Sequence, residues 1–215
     1  MVRKMSQRSR NTRARIVASA WKLFYEQGYA NTTVEDILRD SATSKGTFYH
    51  YFEGKDALLS TLSTLFDEKY TELSNTLSPQ ADSFNTLMLL NRELFGMIEN
   101  SVSLELLTRL YSTQLVTEGS KHLLDHNRVY YRLLRQIVTR GQERGELRKQ
   151  MSSAEIVKAY ALCERALLYD WCLLGGEYSL RAYAARMMPL FLQYIREEQK
   201  ENKNVDFDYH DSSIM

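Results

Sequence analysis

Proline and glycine are scarce in this sequence: two prolines and nine glycines in 215 residues. That is too few for the closely spaced turns of an all-β sandwich or barrel. Two cysteines, Cys163 and Cys172, exclude a disulfide-dense scaffold, and reduced thiols are expected. No uninterrupted run of about 18 apolar residues occurs, so no membrane span is expected. The richest apolar stretch, 161–174, is broken by Glu164, Arg165 and Asp170. The basic start carries no apolar segment of the secretory kind. A cytoplasmic chain is the expectation.

Net charge is also nearly absent, at +1, which taken alone speaks against a polyanionic partner. The average conceals an asymmetry. Residues 1–56 hold ten Lys/Arg and six Asp/Glu, whereas residues 57–215 hold eighteen and twenty-one. Arg3, Lys4, Arg8, Arg10, Arg13, Arg15 and Lys22 precede the first acidic residue. Such an end either follows a polyanion or stays a solvated arm, and charge alone favours neither.

What is present is helical periodicity. Ile16, Ala20, Leu23, Phe24 and Gln27 share one face of a helix over 12–27. Gly28 suits a left-handed cap, with Tyr29 folding back. Thr32-x-x-Glu35 reads as a capping box, although Thr33 serves equally as the cap. A short helix over 34–40 points Val34, Ile37 and Leu38 inward. After Ser41-Ala42-Thr43, Ser44 caps a third helix, 45–52, with Phe48 and Phe52 in the core. Trp21 and Phe24 are also expected in the core, and Tyr51 is assigned there in preference to a backbone contact. Further helices are predicted over 55–77, 81–99, 103–116, 121–144, 153–174 and 178–198, with glycine largely confined to the breaks and Gly46 the exception with a proposed role. The stretch 199–215 is polar and without periodicity, as in a disordered tail.

Two short helices joined by a three-residue turn form a helix-turn-helix arrangement. Its second helix offers Ser44, Lys45, Gly46, Thr47, Tyr49 and His50 on the side away from Phe48 and Phe52. Gly46 lets backbone approach closely. Thr47 suits a base edge or a thymine methyl, and Lys45 a guanine edge or a phosphate. Tyr49 and His50 suit phosphate oxygens. Thr33 and Lys55 each sit at a helix N-terminus, where an anion is favoured. Arg8, Arg10 and Arg13 either enter a minor groove or remain free.

These residues carry a resemblance. Ile16…Ala20…Leu23-Phe24…Gly28-Tyr29…Thr32-Thr33-Val34-Glu35-Asp36-Ile37, then Ser44-Lys45-Gly46-Thr47-Phe48-Tyr49-His50-Tyr51-Phe52 and Lys55-Asp56-Ala57-Leu58-Leu59 resemble the DNA-binding domain of TetR-type transcriptional regulators. The chain departs from that pattern at Ser41-Ala42-Thr43, where the family commonly has Ala-Gly-Val, and at Leu38, which replaces a small residue. A positive φ at Ala42 would cost roughly 1 kcal/mol.

The resemblance implies an all-α protein of about nine helices. Residues 1–11 would be a basic arm and 12–56 a three-helix DNA-binding domain. Residues 57–198 would be an antiparallel helical bundle that binds a ligand and dimerises through 153–174 and 178–198, with 199–215 as the tail. Both of those helices are apolar on more than one side, as such packing requires. The pocket candidates, by type and position, are Met88, Phe95, Leu107, Tyr111, Tyr130, Tyr131, Cys163, Glu164, Leu167 and Trp171, each also explicable as plain core. Glu164 and Asp170 need a partner if buried: Arg165, Arg128 or a cationic ligand.

No motif for catalysis or for a bound cofactor occurs. His122 and His126 stand four apart on a predicted helix, but without a third ligand they read as a solvated face rather than a metal site. The function expected is a homodimeric repressor released from a palindromic double-stranded operator by a small apolar or amphipathic effector. The competing readings are a DNA-bound regulator whose bundle docks a protein, and a helical interaction module without DNA function. A cavity of several hundred Å³ favours the effector; a solid core favours the docked protein.

Overall fold

The computed structural model describes residues 7–116 and 121–197. Among these, ten α-helices account for nearly all regular structure: α1 (Gln7–Gln27), α2 (Val34–Asp40), α3 (Lys45–Tyr51), α4 (Lys55–Leu59), α5 (Leu62–Thr76), α6 (Ser83–Ser101), α7 (Leu104–Val116), α8 (Val129–Glu143), α9 (Ser153–Leu173) and α10 (Leu180–Leu192). Short 3₁₀ turns occupy His122–Leu124 and Gln193–Ile195. The all-α class is as expected. The only pairing of strand type among the described residues is a single antiparallel bridge between Leu147 and Arg196. No described helix is long and apolar enough to cross a membrane.

Helices α1 to α3 form a small domain around Ile16, Ala20, Phe24, Ile37, Phe48 and Phe52, all buried. Helices α5, α6, α8, α9 and α10 pack side by side into the bundle, and α7 bridges α4 and α9. Caps set the helix starts. Thr33 Oγ1 accepts from the Asp36 N–H and the Asp36 carboxylate accepts from the Thr33 N–H, so the capping box is Thr33…Asp36. Ser152 and Glu155 repeat the device at α9. Gly28 takes φ 84°, and its N–H closes on the Phe24 carbonyl at 3.1 Å.

Several boundaries differ from expectation for local reasons. Helix α1 begins at Gln7, so residues 7–11, including Arg8 and Arg10, are helix and not a free arm; residues 1–6 and the tail 199–215 lie outside the described residues. The helix expected over 55–77 is two helices. At the break the Ser60 and Thr61 hydroxyls bond back to the Ala57 and Leu58 carbonyls, and the Trp21 indole N–H donates to Thr61 Oγ1 at 2.8 Å. The helix expected over 121–144 starts only at Val129. Asp125 turns the chain first, its carboxylate accepting from the Asn127 N–H at 2.9 Å and its carbonyl from the Arg128 N–H at 3.2 Å. His122 and His126 are therefore not on one helix, and the His126 ring packs on Tyr131. The helix expected over 178–198 ends at Leu192, three residues after Pro189, whose missing N–H weakens the ladder there.

Glycine is not confined to the breaks: Gly96 and Gly141 lie inside α6 and α8. Gly141 is a close-approach position. A Cβ there would stand 2.7 Å from Ser83 Cβ and 2.8 Å from Leu147 Cδ1. Gly141→Ala is expected to lose about 1–3 kcal/mol by overpacking. A Cβ on Gly46 meets nothing within 4 Å, so Gly46→Ala should raise stability by up to about 1 kcal/mol through helix propensity. Paired melting curves check both.

Candidate nucleic-acid interface and bundle interior

The turn between α2 and α3 carries the departure seen in the sequence. Ala42 takes φ 48°, the one described non-glycine residue in the left-handed region. Hydrogen bonds hold it there: the Ala42 N–H reaches the Arg39 carbonyl at 3.3 Å and the Thr43 N–H the Leu38 carbonyl at 3.1 Å, while Ser41 and Thr43 hydroxyls bond at 2.7 Å. The turn keeps its shape and carries strain. Ala42→Gly should raise stability by up to about 1 kcal/mol, read as a higher midpoint in urea.

On α3, Phe48 is fully buried and Phe52 follows it into the core, while Ser44, Lys45, Gly46, Tyr49 and His50 are exposed and Thr47 is half-buried beside them. The first turn is organised by hydroxyls. Ser44 Oγ accepts from the Thr47 N–H at 3.2 Å and bonds Thr47 Oγ1 at 2.8 Å. The Lys45 ammonium lies 3.7 Å from Glu35, an ion pair open to solvent and easily exchanged for another anion. Tyr49 leans edge-on against Phe48. Tyr51 packs half-buried against the core, and its hydroxyl bonds Ser9 Oγ at 2.7 Å and fixes α3 to α1. Arg13 lies over the Phe52 ring. Six of the eight candidates for DNA contact, Ser44 to Thr47, Tyr49 and His50, thus fall on one small exposed face.

The other two are placed differently. Thr33 Oγ1 donates to Asp36 at 2.6 Å, and those bonds hold the Asp36 carboxyl below its ordinary value. The N-terminus of α2 already faces a carboxylate. The Lys55 ammonium donates to the carbonyls of Tyr29 and Thr32 at 2.7 and 2.8 Å and lies over the Tyr29 ring. Burial pulls it below the usual lysine value. Lys55 is a clamp on the turn between α1 and α2.

That turn is where the small domain meets the bundle. Glu105 of α7 accepts from the backbone N–H groups of Tyr29 and Ala30 at 3.2 and 3.1 Å. The Tyr25 hydroxyl donates to the Ser101 carbonyl at 2.6 Å, and the Tyr29 hydroxyl to Asp56. Glu105 was not legible in the sequence, since nothing local in its helix marks it.

The bundle interior holds a polar knot. Glu164 is 4% exposed. Its carboxylate accepts from Asn91 Nδ2 at 2.9 Å and from the Tyr130 hydroxyl at 2.7 Å. Tyr160 lies beside it and donates to the Leu87 carbonyl. Burial pushes Glu164 up from the ordinary 4.5, and Tyr70, Tyr111, Tyr130 and Tyr160 above the usual phenol value. A cavity of about 50 Å³ adjoins the knot, lined by Phe66, Tyr70, Tyr111, Tyr130, Glu164 and Leu168 among others. It is far smaller than the several hundred Å³ expected for a whole effector.

Of the pocket candidates, Tyr111, Tyr130 and Glu164 line this cavity and the rest do not. Phe95, Leu107, Leu167 and Trp171 are core residues, the indole of Trp171 donating to the Tyr178 carbonyl. Tyr131 is buried with its hydroxyl on the Leu123 carbonyl, and Cys163 is half-buried. Met88 lines a separate groove between α6 and α10. Neither expected arginine pairs with Glu164 through an ion pair: Arg128 binds Asp67 at 2.9 Å. Asp170 is exposed and accepts from the Tyr178 hydroxyl. Tyr70 and Asn91 were missed in the sequence, since each belongs to a helix remote from α9 in the chain. Among the described residues no group of three His, Cys, Asp or Glu could hold a metal ion.

Residues 16–62 match the family model for bacterial regulatory proteins of the tetR family. This segment is a TetR-family DNA-binding domain. Among relatives, the chain is 25% identical over 209 residues to the HTH-type transcriptional regulator TtgR of Pseudomonas putida, covering 91% of this chain and 97% of that one. It is 40% identical over 86 residues to the uncharacterized HTH-type transcriptional regulator YuxN of Bacillus subtilis, covering 40% of this chain; the chain spans 28% of that relative's length. The fold of the chain is similar to that of Thermus thermophilus FadR, described as a transcriptional repressor in complex with lauroyl-CoA, with a TM-score of 0.74, 21% identity, and 88% and 97% of the two chains covered.

A stability profile against pH checks the Glu164 environment. A carboxyl raised in the fold binds its proton more tightly there than in the unfolded chain. Its stabilising effect is complete below about pH 4.5 and is lost as pH rises through the folded value. Relative to Glu164→Gln, the wild type should therefore lose melting temperature as pH rises from about 4.5 through the raised folded value. A constant difference would place the carboxylate in a less buried site.

Proposed function

We propose that this chain is a dimeric, sequence-specific DNA-binding regulator of transcription whose helical bundle senses a small molecule. The observation that carries the DNA reading is the face of α3: small and polar residues outward, Phe48 and Phe52 locked inward. Lys45 and Thr47 read base edges, and Ser44, Tyr49 and His50 contact phosphates. Thr33 and Lys55 act chiefly through the geometry of the α1–α2 turn.

Two copies pair through α9 and α10. Leu162, Tyr169 and Leu173 form an exposed apolar stripe on α9, and Leu190, Phe191 and Tyr194 another at the end of α10. A two-fold across these faces presents two α3 helices to a palindromic operator. Glu105 carries the coupling: α7 supplies Tyr111 to the cavity and grips the turn above α2. An effector that parts α5, α7 and α9 tilts the reading domain and lowers operator affinity, to the extent that it binds the parted state more tightly. Repression relieved by a ligand is thus the direction of control that fits. The closed core is the one observation that favours a second reading, in which the bundle docks a protein.

Duplexes selected from a random pool by the full chain supply the operator. Binding should weaken with salt at a slope of about −0.9 per phosphate contacted. Lys45→Ala and Thr47→Ala should each cost about 1–3 kcal/mol; unchanged affinities in both would remove α3 as the reader. In sedimentation, Leu162→Glu with Tyr169→Glu should run as a monomer, and a persistent dimer would move the interface elsewhere.

A further inference from the structure

The packing surrounds Glu164 with the neutral donors Asn91, Tyr130 and Tyr160, and the nearest cation, Arg165, acts on it across the cavity without closing an ion pair. Asn91 and Tyr130 occupy two of the roughly four acceptor positions of a carboxylate. The Tyr70 hydroxyl, 1% exposed, lines the same cavity and has no hydrogen-bond partner. Two arginines also line it. Arg128 is committed to Asp67 through both Nε and Nη2 and to the Ser63 carbonyl. Arg165 is half-buried with Nη1 3.5 Å from the Tyr131 hydroxyl, and as the next residue on α9 it leaves the helix about 100° away from Glu164. The deep end of the cavity is therefore an acceptor site walled by aromatic rings, with Tyr111, Leu123, Arg128 and Arg165 on its less buried side. Its volume of about 50 Å³ suits a head group rather than a whole molecule; a water in the liquid takes about 30 Å³.

We propose that this cavity takes the protonated amino group of an amphipathic effector, with Glu164 as its counter-charge and the Tyr70 hydroxyl as a further acceptor. The Tyr111 ring lines the wall beside the cation, the Tyr130 ring already carrying the Arg128 guanidinium, and the apolar body leaves past Leu123 and Arg165. A carboxylate head group is rejected by Glu164. The assignment rests on the effector reading of the bundle, and it separates this chain from a neighbour whose bound molecule is an acyl-CoA.

Three probes with one skeleton test it: 4-phenylbutylamine, 4-phenylbutan-1-ol and 4-phenylbutanoate, titrated calorimetrically into the full chain near pH 7. The amine should bind about tenfold tighter than the alcohol, and the carboxylate weakest. Glu164→Gln should abolish the advantage of the amine and leave the alcohol within about twofold. Tyr70→Phe should weaken the amine several-fold and stands in if Glu164→Gln does not fold. An alcohol that binds while the amine gains nothing, or an amine preference that survives in Glu164→Gln, overturns the assignment and leaves the effector reading intact. If none of the three binds, both fall.

Discussion

Two backbone N–H groups, those of Tyr29 and Ala30, donate to one carboxylate, that of Glu105. Most of what the structure can do depends on this contact. The N–H groups of a turn belong to no ladder and need a partner from elsewhere, and here it comes from the other domain. The same residue, Tyr29, is gripped on every side: its carbonyl by Lys55, its hydroxyl by Asp56, its ring by Phe24 and the Lys55 ammonium. The reading domain is thereby fixed to α4 and α7 at the turn that leads into α2. A movement of α7 reaches α3 through few intermediates.

The bundle contrasts with the reading domain in where its local rules are broken. The reading domain has a well-filled apolar core, and its strain is limited to Ala42. The bundle keeps an acidic group in its interior together with an unpaired phenol. A core of hydrophobic residues alone would be cheaper to fold, and departures of this kind collect at sites with a further role. The charge asymmetry of the sequence follows the same division: a basic N-terminal end, and a mildly acidic body that buries the carboxyl of Glu164.

The reading domain was legible in the sequence because its signals are local. Thr33, Ser44, Gly28 and the spacing of Phe48 and Phe52 act within a turn or two of themselves, and the structure places them as their chemistry requires. The breaks at Ser60-Thr61 and Asp125-x-Asn127 are local too, but short polar side chains there compete with an otherwise continuous apolar period, and the period dominated. The cavity was legible only in part. Glu164 stands out as an acid in an apolar helix, whereas Tyr70, Asn91 and Leu168 have no mark apart from their meeting across three helices. The intramolecular contacts of Lys55 were not legible for a related reason. A lysine at a helix start looks the same whether its donors face a phosphate or two carbonyls of its own chain.

The account stands on the claim that the two domains act as one body through Glu105. Amide hydrogen exchange at Tyr29 and Ala30, compared between the wild type and Glu105→Ala, measures that contact itself. Slow exchange in the wild type, accelerated at these two amides by at least about tenfold in the variant while the amides of α1 and α6 keep their protection, is the predicted result. Fast exchange of both amides in the wild type, or protection that survives the loss of the carboxylate, would contradict it.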